Sequence, residues 1–199
     1  MKRLIVGISG ATGAIYGIRL LEILSKSEVE AHLVITEAAE RTILMETDWK
    51  VEEVKSLAKV SYDIKNLGAD ISSGSFLSEG MVIIPCSIRS LSGVANSYNE
   101  NLLIRTADVM LKERRKLVLC VRETPLHQGH LELMLRVTQM GALLLPPLPA
   151  FYFQPKTIDD LINHTIGKVL DIFGINHHLF NRWGSNTVKR RLRQKGFKD

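Results

Sequence analysis

The chain has 199 residues, of which 45% are hydrophobic and 24% charged, and its formal net charge is +5. This balance is typical of a globular domain, and a chain of this length buries roughly 70% of its unfolded surface. No apolar stretch reaches the roughly 18 residues of a membrane span, so we expect no membrane-spanning segment and a cytoplasmic location. Cys86 and Cys120 form no C-x-x-C motif, which excludes a zinc ribbon or a dithiol motif and favours two buried thiols.

Short apolar runs predict five strands, at residues 3–9, 30–36, 81–86, 116–122 and 142–145. These runs lack polar alternation, which is typical of strands buried on both faces of a parallel sheet. Helical patterns lie between and after them, at 14–26, 37–46, 51–59, 101–115, 131–140 and 157–173. Strands that alternate with helices predict an α/β fold, a doubly wound and mostly parallel sheet flanked by helices.

We expect a single domain over residues 1–199, with residues 175–199 as a C-terminal arm, because no repeat or linker interrupts the pattern. The polar segment 63–78 is expected to form a flexible loop. Six basic residues fall within the last eleven positions, and a solvated terminus is favoured because no aromatic residues alternate with them. The sequence therefore predicts no nucleic-acid partner.

Ligands of an open parallel sheet bind beyond the carboxyl ends of its strands, so the residues after each strand form the candidate site. The first strand leads into a turn of small residues, Ser9, Gly10, Ala11, Thr12 and Gly13. Backbone N–H groups in such a turn can approach an anion, and a helix that follows points its positive end at it. The glycine spacing, G-x-x-G-x-x-G, supports a dinucleotide site poorly, and a tight turn without a ligand is equally compatible.

A second candidate anion site follows the third predicted strand. Ser87, Ile88, Arg89 and Ser90 place two hydroxyls and a guanidinium at a helix start, although a plain N-cap is favoured for this segment alone. The other strand ends contribute Thr36, Arg122, Glu123 and the aromatic run 151–153. Taken together, these groups predict one planar, anionic ligand, and a mononucleotide such as FMN fits.

Other polar residues are given structural interpretations. Glu37 follows the second strand and is interpreted as a favourable residue for the first turn of a helix. His127 and His130, with Glu132 close by, resemble part of a metal site, but no third ligand is evident and loop histidines are favoured. The sequence predicts no metal centre.

A family resemblance rests on segments at 7–17 (GISGATGAIYG), 46–48, 73–75, 85–87, 107–115, 122–125, 149–152 and 182–183. In this order, over about residues 3–184, the chain resembles the flavin prenyltransferases of the UbiX/PAD family. The resemblance implies a flavodoxin-like fold and a metal-independent transferase that joins a dimethylallyl group from dimethylallyl monophosphate to N5 and C6 of reduced FMN. It further implies a UbiD-type decarboxylase as the recipient of prenylated FMN, in ubiquinone synthesis or aromatic acid metabolism, and a large homo-oligomer, a dodecamer, with sites between subunits.

The resemblance also implies roles for individual positions. The flavin contacts are Gly10, Ala11, Thr12, Thr36, Ser87, Ile88, Arg89, Ser90 and Arg122, with Ser9 from the same turn. The contacts to the prenyl phosphate are Arg105, Lys112, Tyr152 and Lys168. The catalytic residues are Glu46, Glu123, Trp183 and Thr12. Among these, Glu123 is assigned as a proton shuttle and Trp183 as the π face for a developing allyl cation.

Two positions depart from the form most associated with the family. Thr12 stands where serine is common, and its extra methyl group is expected to crowd the flavin. Lys168 stands where arginine is common, and lysine cannot bind a phosphate in the bidentate manner of arginine. Both changes are expected to affect rate and substrate preference more than the type of reaction.

Two other functions are weighed against prenyl transfer. A flavin-dependent decarboxylase acting on a cysteine-containing substrate is expected to carry a catalytic histidine after an early helix, but no histidine lies between His32 and His127. A non-catalytic flavin carrier for a decarboxylase would need no second anion site, whereas Arg105, Lys112 and Lys168 imply one.

Overall fold

Six parallel strands form one sheet in the computed structural model of the chain, which describes residues 2–184. The strands are β1 (Lys2–Ile8), β2 (Val29–Ile35), β3 (Val60–Tyr62), β4 (Gly80–Cys86), β5 (Lys116–Val121) and β6 (Leu143–Leu144). Their order in the sheet is β3-β2-β1-β4-β5-β6, and every neighbouring pair is parallel. The chain therefore winds outward in both directions from β1 and β4, and this switch point is where open α/β sheets bind ligands.

The helices of the described residues connect these strands or follow the last of them. They are α1 (Ala14–Leu24), α2 (Glu37–Glu46), α3 (Val51–Ser56), α4 (Ile88–Ala95), α5 (Leu102–Lys112), α6 (Gln128–Gln139) and α7 (Ile158–Ile172). A short 3-10 turn, Asp70–Ser72, interrupts the segment predicted as a loop. No helix within residues 2–184 is long and apolar enough to cross a lipid bilayer.

The central strands are buried on both faces, as their apolar runs predict. Leu4 and Ile5 on β1 and Val82 and Ile83 on β4 have no exposed surface, and full burial of one such side chain contributes about 1.5–3 kcal/mol. Helix α1 packs closely on β4, and Gly17 permits this because a Cβ at that position would lie 2.5 Å from the carbonyl oxygen of Ile84. This tight packing fixes the ends of β1 and β4, from which the candidate site is built.

Strand β3 was not predicted from the sequence, and the helix predicted at the position of α3 was too long. The predicted helix over 51–59 ends at Ser56, and the chain then pairs with β2 through Val60–Tyr62. Strand β3 has only three residues, and two of them are exposed. It therefore contains no apolar run from which a strand could be predicted. It extends one edge of the sheet and carries the following loop to the carboxyl end of β2.

Contacts divide the chain into two compact units, one up to Pro147 and one from Leu148 onward. The first contains the sheet and helices α1 to α6, and the second contains α7 and the aromatic residues around it. A single domain over residues 1–199 with an arm at 175–199 stays a prediction. The basic tail lies outside the described residues.

Candidate functional site

A cleft of about 630 Å³ lies at the carboxyl edge of the sheet, beside the switch point. Small-molecule sites commonly measure roughly 300–1,000 Å³, so the cleft can hold a mononucleotide. Its walls come from the segments that follow β1, β2, β3, β4 and β5: Gly10, Thr36, Glu37, Ala38, Arg41, Ile64, Lys65, Ser87, Ile88, Arg89, Ser90, Glu100, Asn101, Ile104 and Glu123. The structure thus brings together seven predicted site residues: Gly10, Thr36, Ser87, Ile88, Arg89, Ser90 and Glu123.

Helix α4 begins in the wall of the cleft. Ser87 is its N-cap, and the Ser87 hydroxyl accepts a hydrogen bond from the backbone N–H of Ser90 at 3.3 Å and donates one to the Ser90 hydroxyl at 3.2 Å. The cap is a neutral hydroxyl, so it leaves the partial positive charge of the helix end uncompensated. The first turn of α4 is therefore a suitable place for a phosphate.

The opposite wall is formed where the turn after β1 meets the start of α2. Thr36 is the N-cap of α2, and its hydroxyl accepts a hydrogen bond from the N–H of Ala39 at 3.2 Å. A Cβ at Gly10 would lie 2.4 Å from the Cβ of Ala38, so only glycine permits this close approach. Two helix N-termini, those of α2 and α4, consequently border the cleft.

Three cations also line the cleft: Arg41, Lys65 and Arg89. The Lys65 ammonium lies 2.9 Å from Glu37, and the Arg89 guanidinium lies 3.1 Å from Glu100. The hydrogen bond between Lys65 and Glu37 lowers the pKa of the carboxyl and raises the pKa of the amine, so both stay charged at neutral pH. Both cations have exposed side chains, and ion pairs of this kind contribute little, so either cation can turn to an anionic ligand at little cost.

The sequence analysis did not identify Arg41, Lys65, Glu100 or Asn101 as site residues. Lys65 follows β3, a strand too short to be predicted. The sequence pattern therefore gave no reason to expect Lys65 at the carboxyl edge of the sheet. Arg41 lies one turn after Glu37 on α2. The i, i+4 spacing puts both side chains on one helix face and could have identified Arg41 as a site residue.

Ser9 is buried beneath the cleft and does not line it. Its hydroxyl donates a hydrogen bond to the carbonyl oxygen of Pro85 at 3.0 Å and accepts one from the N–H of Ser87 at 2.8 Å. With 1% of its surface exposed, Ser9 ties the end of β1 to the end of β4 and holds Ser87 in place. Its assignment as a flavin contact stays a prediction.

Glu46 caps helix α1. Its carboxylate accepts hydrogen bonds from the N–H groups of Gly13 at 2.7 Å and Ala14 at 3.3 Å, and the turn there is made by Gly13 with φ +97°. An anion does bind the N-terminus of α1, as the turn predicts, but in this structure the anion belongs to the protein itself. The roles assigned to Ala11, Thr12 and Glu46 by family resemblance stay predictions.

The remaining predicted cations of this unit lie away from the cleft walls. Arg122 follows β5 with an exposed side chain, while its N–H donates to the carbonyl oxygen of Cys86 at 3.1 Å. On α5, Arg105 pairs with Asp108 at 3.5 Å and Lys112 pairs with Glu113. Arg105 and Lys112 are seven residues apart and so lie on one helix face, separated by roughly 10 Å.

The unit that begins at Leu148 holds the other three predicted residues, Tyr152, Lys168 and Trp183. The Trp183 ring meets the Tyr152 ring edge-on, with centroids 5.6 Å apart, and the Tyr152 hydroxyl lies 3.3 Å from Nε2 of His164. Lys168 is exposed one helical turn after His164 on α7. Two of the three residues are thus in direct contact.

The histidine pair after β5 forms the start of α6 and not a loop: His127 is the N-cap of the helix and His130 lies in its first turn. The rings of His127 and His130 are tilted by 34° with centroids 3.6 Å apart, and Nδ1 of His127 accepts a hydrogen bond from the N–H of Gly129 at 3.0 Å. Over residues 2–184 no group of three or more His, Cys, Asp or Glu side chains is arranged to hold a metal ion.

Comparison with known proteins places the fold and cleft in a defined class. A family model described as Flavoprotein matches residues 1–173. The flavin prenyltransferase UbiX of Thauera aromatica is 60% identical over 187 residues, which cover 94% of this chain and 96% of that protein. A crystal structure of a UbiX protein in complex with FMN and dimethylallyl pyrophosphate matches with a TM-score of 0.90 at 46% identity, covering 92% of this chain and 97% of the other.

A second solved structure agrees, a dodecameric FMN-dependent UbiX-like decarboxylase from Escherichia coli O157:H7. Its TM-score is 0.89 at 47% identity, covering 91% of this chain and 98% of that one. The class is therefore that of α/β flavoproteins. The chain belongs to the flavoprotein family and, within it, to the UbiX-like flavin prenyltransferases. The fold class and the family resemblance predicted from the sequence are both confirmed.

Proposed function

We propose that this chain is a flavin prenyltransferase, which transfers a dimethylallyl group from dimethylallyl monophosphate to N5 and C6 of reduced FMN. The observation that carries the proposal is the cleft at the switch point, where the N-termini of α2 and α4 and three cations converge. A curated relative at 60% identity bears the name of this activity, and another relative was crystallised with FMN and a dimethylallyl ester. The product, prenylated FMN, would serve a UbiD-type decarboxylase.

The donors in the cleft suit FMN. Its phosphate would be held by the first turn of α4, from Ser87 to Ser90, with Arg89, Arg41 and Lys65 as counter-charges. Thr36 and Gly10 would border the rest of the molecule. When bound in its reduced form, FMN supplies the electron-rich N5 and C6 atoms to which the prenyl group is joined.

The prenyl donor requires cations because its allylic C–O bond breaks and the electron pair leaves with the phosphate. We assign Arg105, Lys112 and Lys168 to offset that charge, with Tyr152 donating a hydrogen bond. Trp183 would present its ring face to the developing allyl cation, an interaction of about 2 kcal/mol when it is desolvated. Holding both reactants in line can contribute roughly 7–11 kcal/mol to lowering the barrier.

Glu123 is assigned as the proton shuttle. Its side chain lines the cleft, and one carboxylate oxygen accepts a hydrogen bond from the N–H of Thr124 at 3.1 Å. Its exposed carboxylate can take up the proton that ring closure at C6 releases and pass it to the departed phosphate or to water.

We further propose a homo-oligomer, a dodecamer like the E. coli relative, with sites shared between subunits. A cytoplasmic location is supported by two thiols, Cys86 and Cys120, that are both buried and unpaired. Burial raises the pKa of Cys86 to about 12, so this thiol is unreactive at neutral pH.

The proposal is tested by mass spectrometry of the flavin. Purified protein is incubated with reduced FMN and either dimethylallyl monophosphate or dimethylallyl diphosphate, and the molecular mass of the released flavin is measured. A gain of one prenyl unit is expected with the monophosphate. An unchanged flavin with both donors would contradict prenyl transfer and favour a flavin carrier.

A further inference from the structure

Tyr152 has a buried partner that the proposed mechanism does not use. The Tyr152 hydroxyl lies 3.3 Å from Nε2 of His164, and the ring of His164 meets the Tyr152 ring edge-on at a centroid distance of 5.7 Å. His164 is 9% exposed and comes from the middle of α7, so it is held by a regular helix.

Aromatic packing fixes the ring plane of His164. Phe153 stacks on it with centroids 5.0 Å apart and an interplanar angle of 8°, and Phe180 lies against it at 4.6 Å. The imidazole is therefore held by rings, and its Nε2 atom points at the Tyr152 hydroxyl. Such an arrangement sets the position of Tyr152 more narrowly than ring packing alone would.

The protonation of His164 decides what Tyr152 can donate. Burial lowers the pKa of His164 below its usual value, and the charge of Lys168 lowers the pKa further, so the ring is neutral at neutral pH and has one N–H. If that N–H is on Nδ1, the Tyr152 hydroxyl donates to Nε2 and has no proton left for an anion. If it is on Nε2, the imidazole donates to the Tyr152 oxygen and the phenolic proton is free.

A neutral ring also suits the neighbouring cation. Lys168 follows His164 by four residues, so both side chains leave the same face of α7. A second positive charge at His164 would repel the ammonium and compete for the anion, whereas a neutral imidazole leaves Lys168 as the cation of this face. Burial also raises the pKa of Tyr152, so its hydroxyl keeps the proton that it would donate.

We propose that His164 is a positioning residue, which donates from Nε2 to the Tyr152 oxygen and so directs the phenolic proton toward the phosphate of the prenyl donor. This inference rests on the proposed function, in which Tyr152 contacts that phosphate. It adds a residue whose effect on ligand binding would pass through another side chain, the Tyr152 hydroxyl that His164 contacts.

The test measures binding of dimethylallyl monophosphate to the FMN-loaded protein by calorimetry, in the wild type and in three single variants. His164→Leu keeps apolar bulk but removes the hydrogen bond, and we expect Kd to rise about fivefold to tenfold, the effect of losing one such bond. His164→Gln restores an N–H donor and should stay within about twofold of the wild type. Tyr152→Phe should weaken binding at least as much as His164→Leu.

The double variant Tyr152→Phe with His164→Leu separates positioning from general packing. If His164 acts through the hydroxyl, the leucine change should add less than about twofold to the Kd of Tyr152→Phe, because the group it orients is already missing. Equal losses in the two backgrounds, or equal Kd values for His164→Leu and the wild type, would overturn the inference. Affinity for FMN should be the same in all variants.

Two safeguards keep the result decisive. If His164→Leu does not fold, as judged by circular dichroism, His164→Met replaces it as the variant without a donor. Prenyl transfer is measured on the same samples: a wild type that binds the donor but transfers nothing would contradict the proposed function, while the binding comparison still decides the role of His164. A wild type that does not bind the donor would overturn the inference.

Discussion

Helices α1 and α4 begin at the same edge of the sheet, after the neighbouring strands β1 and β4, but their N-termini are compensated differently. At α1, the N-cap Gly13 offers no side chain, and the carboxylate of Glu46 accepts the N–H groups of Gly13 and Ala14. At α4, the cap is the neutral hydroxyl of Ser87, and the helix end opens into the cleft. A full negative charge thus offsets one helix end and none offsets the other.

This contrast indicates which of the two similar turns can bind a ligand phosphate. Both turns are short and rich in small or hydroxyl residues, and the sequence makes each a candidate anion site, with a plain N-cap favoured for the turn before α4. A carboxylate contributed by α2, 33 residues along the chain from Gly13, compensates the end of α1. The end of α4 therefore remains as the place where a ligand phosphate gains most.

The largest expected effect comes from placing a charge at the open helix end. Ser87→Asp keeps a good N-cap, so α4 should still begin at the same residue. A carboxylate about 5 Å from a bound phosphate costs about 3 kcal/mol at an effective dielectric constant near 20, or about a hundredfold in Kd for FMN. Fluorescence titration with FMN measures the change.

Thr157→Asp is the matched control, because Thr157 is also a hydroxyl N-cap, at α7, and does not line the cleft. Its affinity for FMN should equal that of the wild type. If Ser87→Asp bound FMN as tightly as the wild type, the phosphate would not bind at α4, and the distinction between the two helix ends would lose its functional meaning.

The next largest effect concerns the rate of prenyl transfer and Glu123, which with Glu46 is one of the two predicted catalytic carboxylates. Glu123 caps no helix and lines the cleft, so Glu123→Gln should leave FMN affinity within about twofold but slow prenyl transfer at least about tenfold, as expected for a proton shuttle. Single-turnover mass measurements of prenylated flavin provide the rate.

Glu100→Gln is the control for Glu123→Gln. Glu100 lines the same cleft but is paired with Arg89, so this change removes a carboxylate of equal charge without removing the shuttle. Its transfer rate should stay within about threefold of the wild type, the cost of a weak exposed ion pair. A Glu123→Gln variant with unchanged turnover would remove Glu123 from the mechanism.

The sheet could be predicted from the sequence where its strands are buried, because buried strands consist of apolar residues. Strands β1, β2, β4 and β5 are continuous apolar runs because both faces are covered, and their predicted bounds differ from the observed ones by about one residue or less at each end. Strand β3 could not be predicted because it lies at the edge and exposes Val60 and Ser61. Its contribution is geometric, since it carries Lys65 to the cleft.

The site was predictable to the extent that it follows strand ends. Thr36 ends a predicted strand, Ser87 and Glu123 directly follow predicted strands, and all three line the cleft. The compensation of α1 by Glu46 was not predictable from spacing, because it depends on where α2 ends relative to a turn far earlier in the chain. This tertiary contact gives Glu46 a structural role at the start of α1, while its catalytic role, implied by the family resemblance, stays a prediction.

The smallest expected effect concerns the closed helix end. Glu46→Gln keeps an oxygen that can accept from Gly13 but removes the charge that offsets α1, a loss of about 1 kcal/mol. For a chain of this length that corresponds to a fall of about 2–4 °C in Tm, measured by differential scanning calorimetry. Glu132→Gln is the control and should leave Tm unchanged, because Glu132 is an exposed carboxylate on α6 that accepts a hydrogen bond from the side chain of Gln128. Sulfate should then raise the Tm of Glu46→Gln more than that of the wild type, because the end of α1 has become available to an anion. Equal sulfate stabilisation together with an unchanged Tm would contradict the view that Glu46 neutralises α1, and both helix ends would again be equivalent candidates for the phosphate.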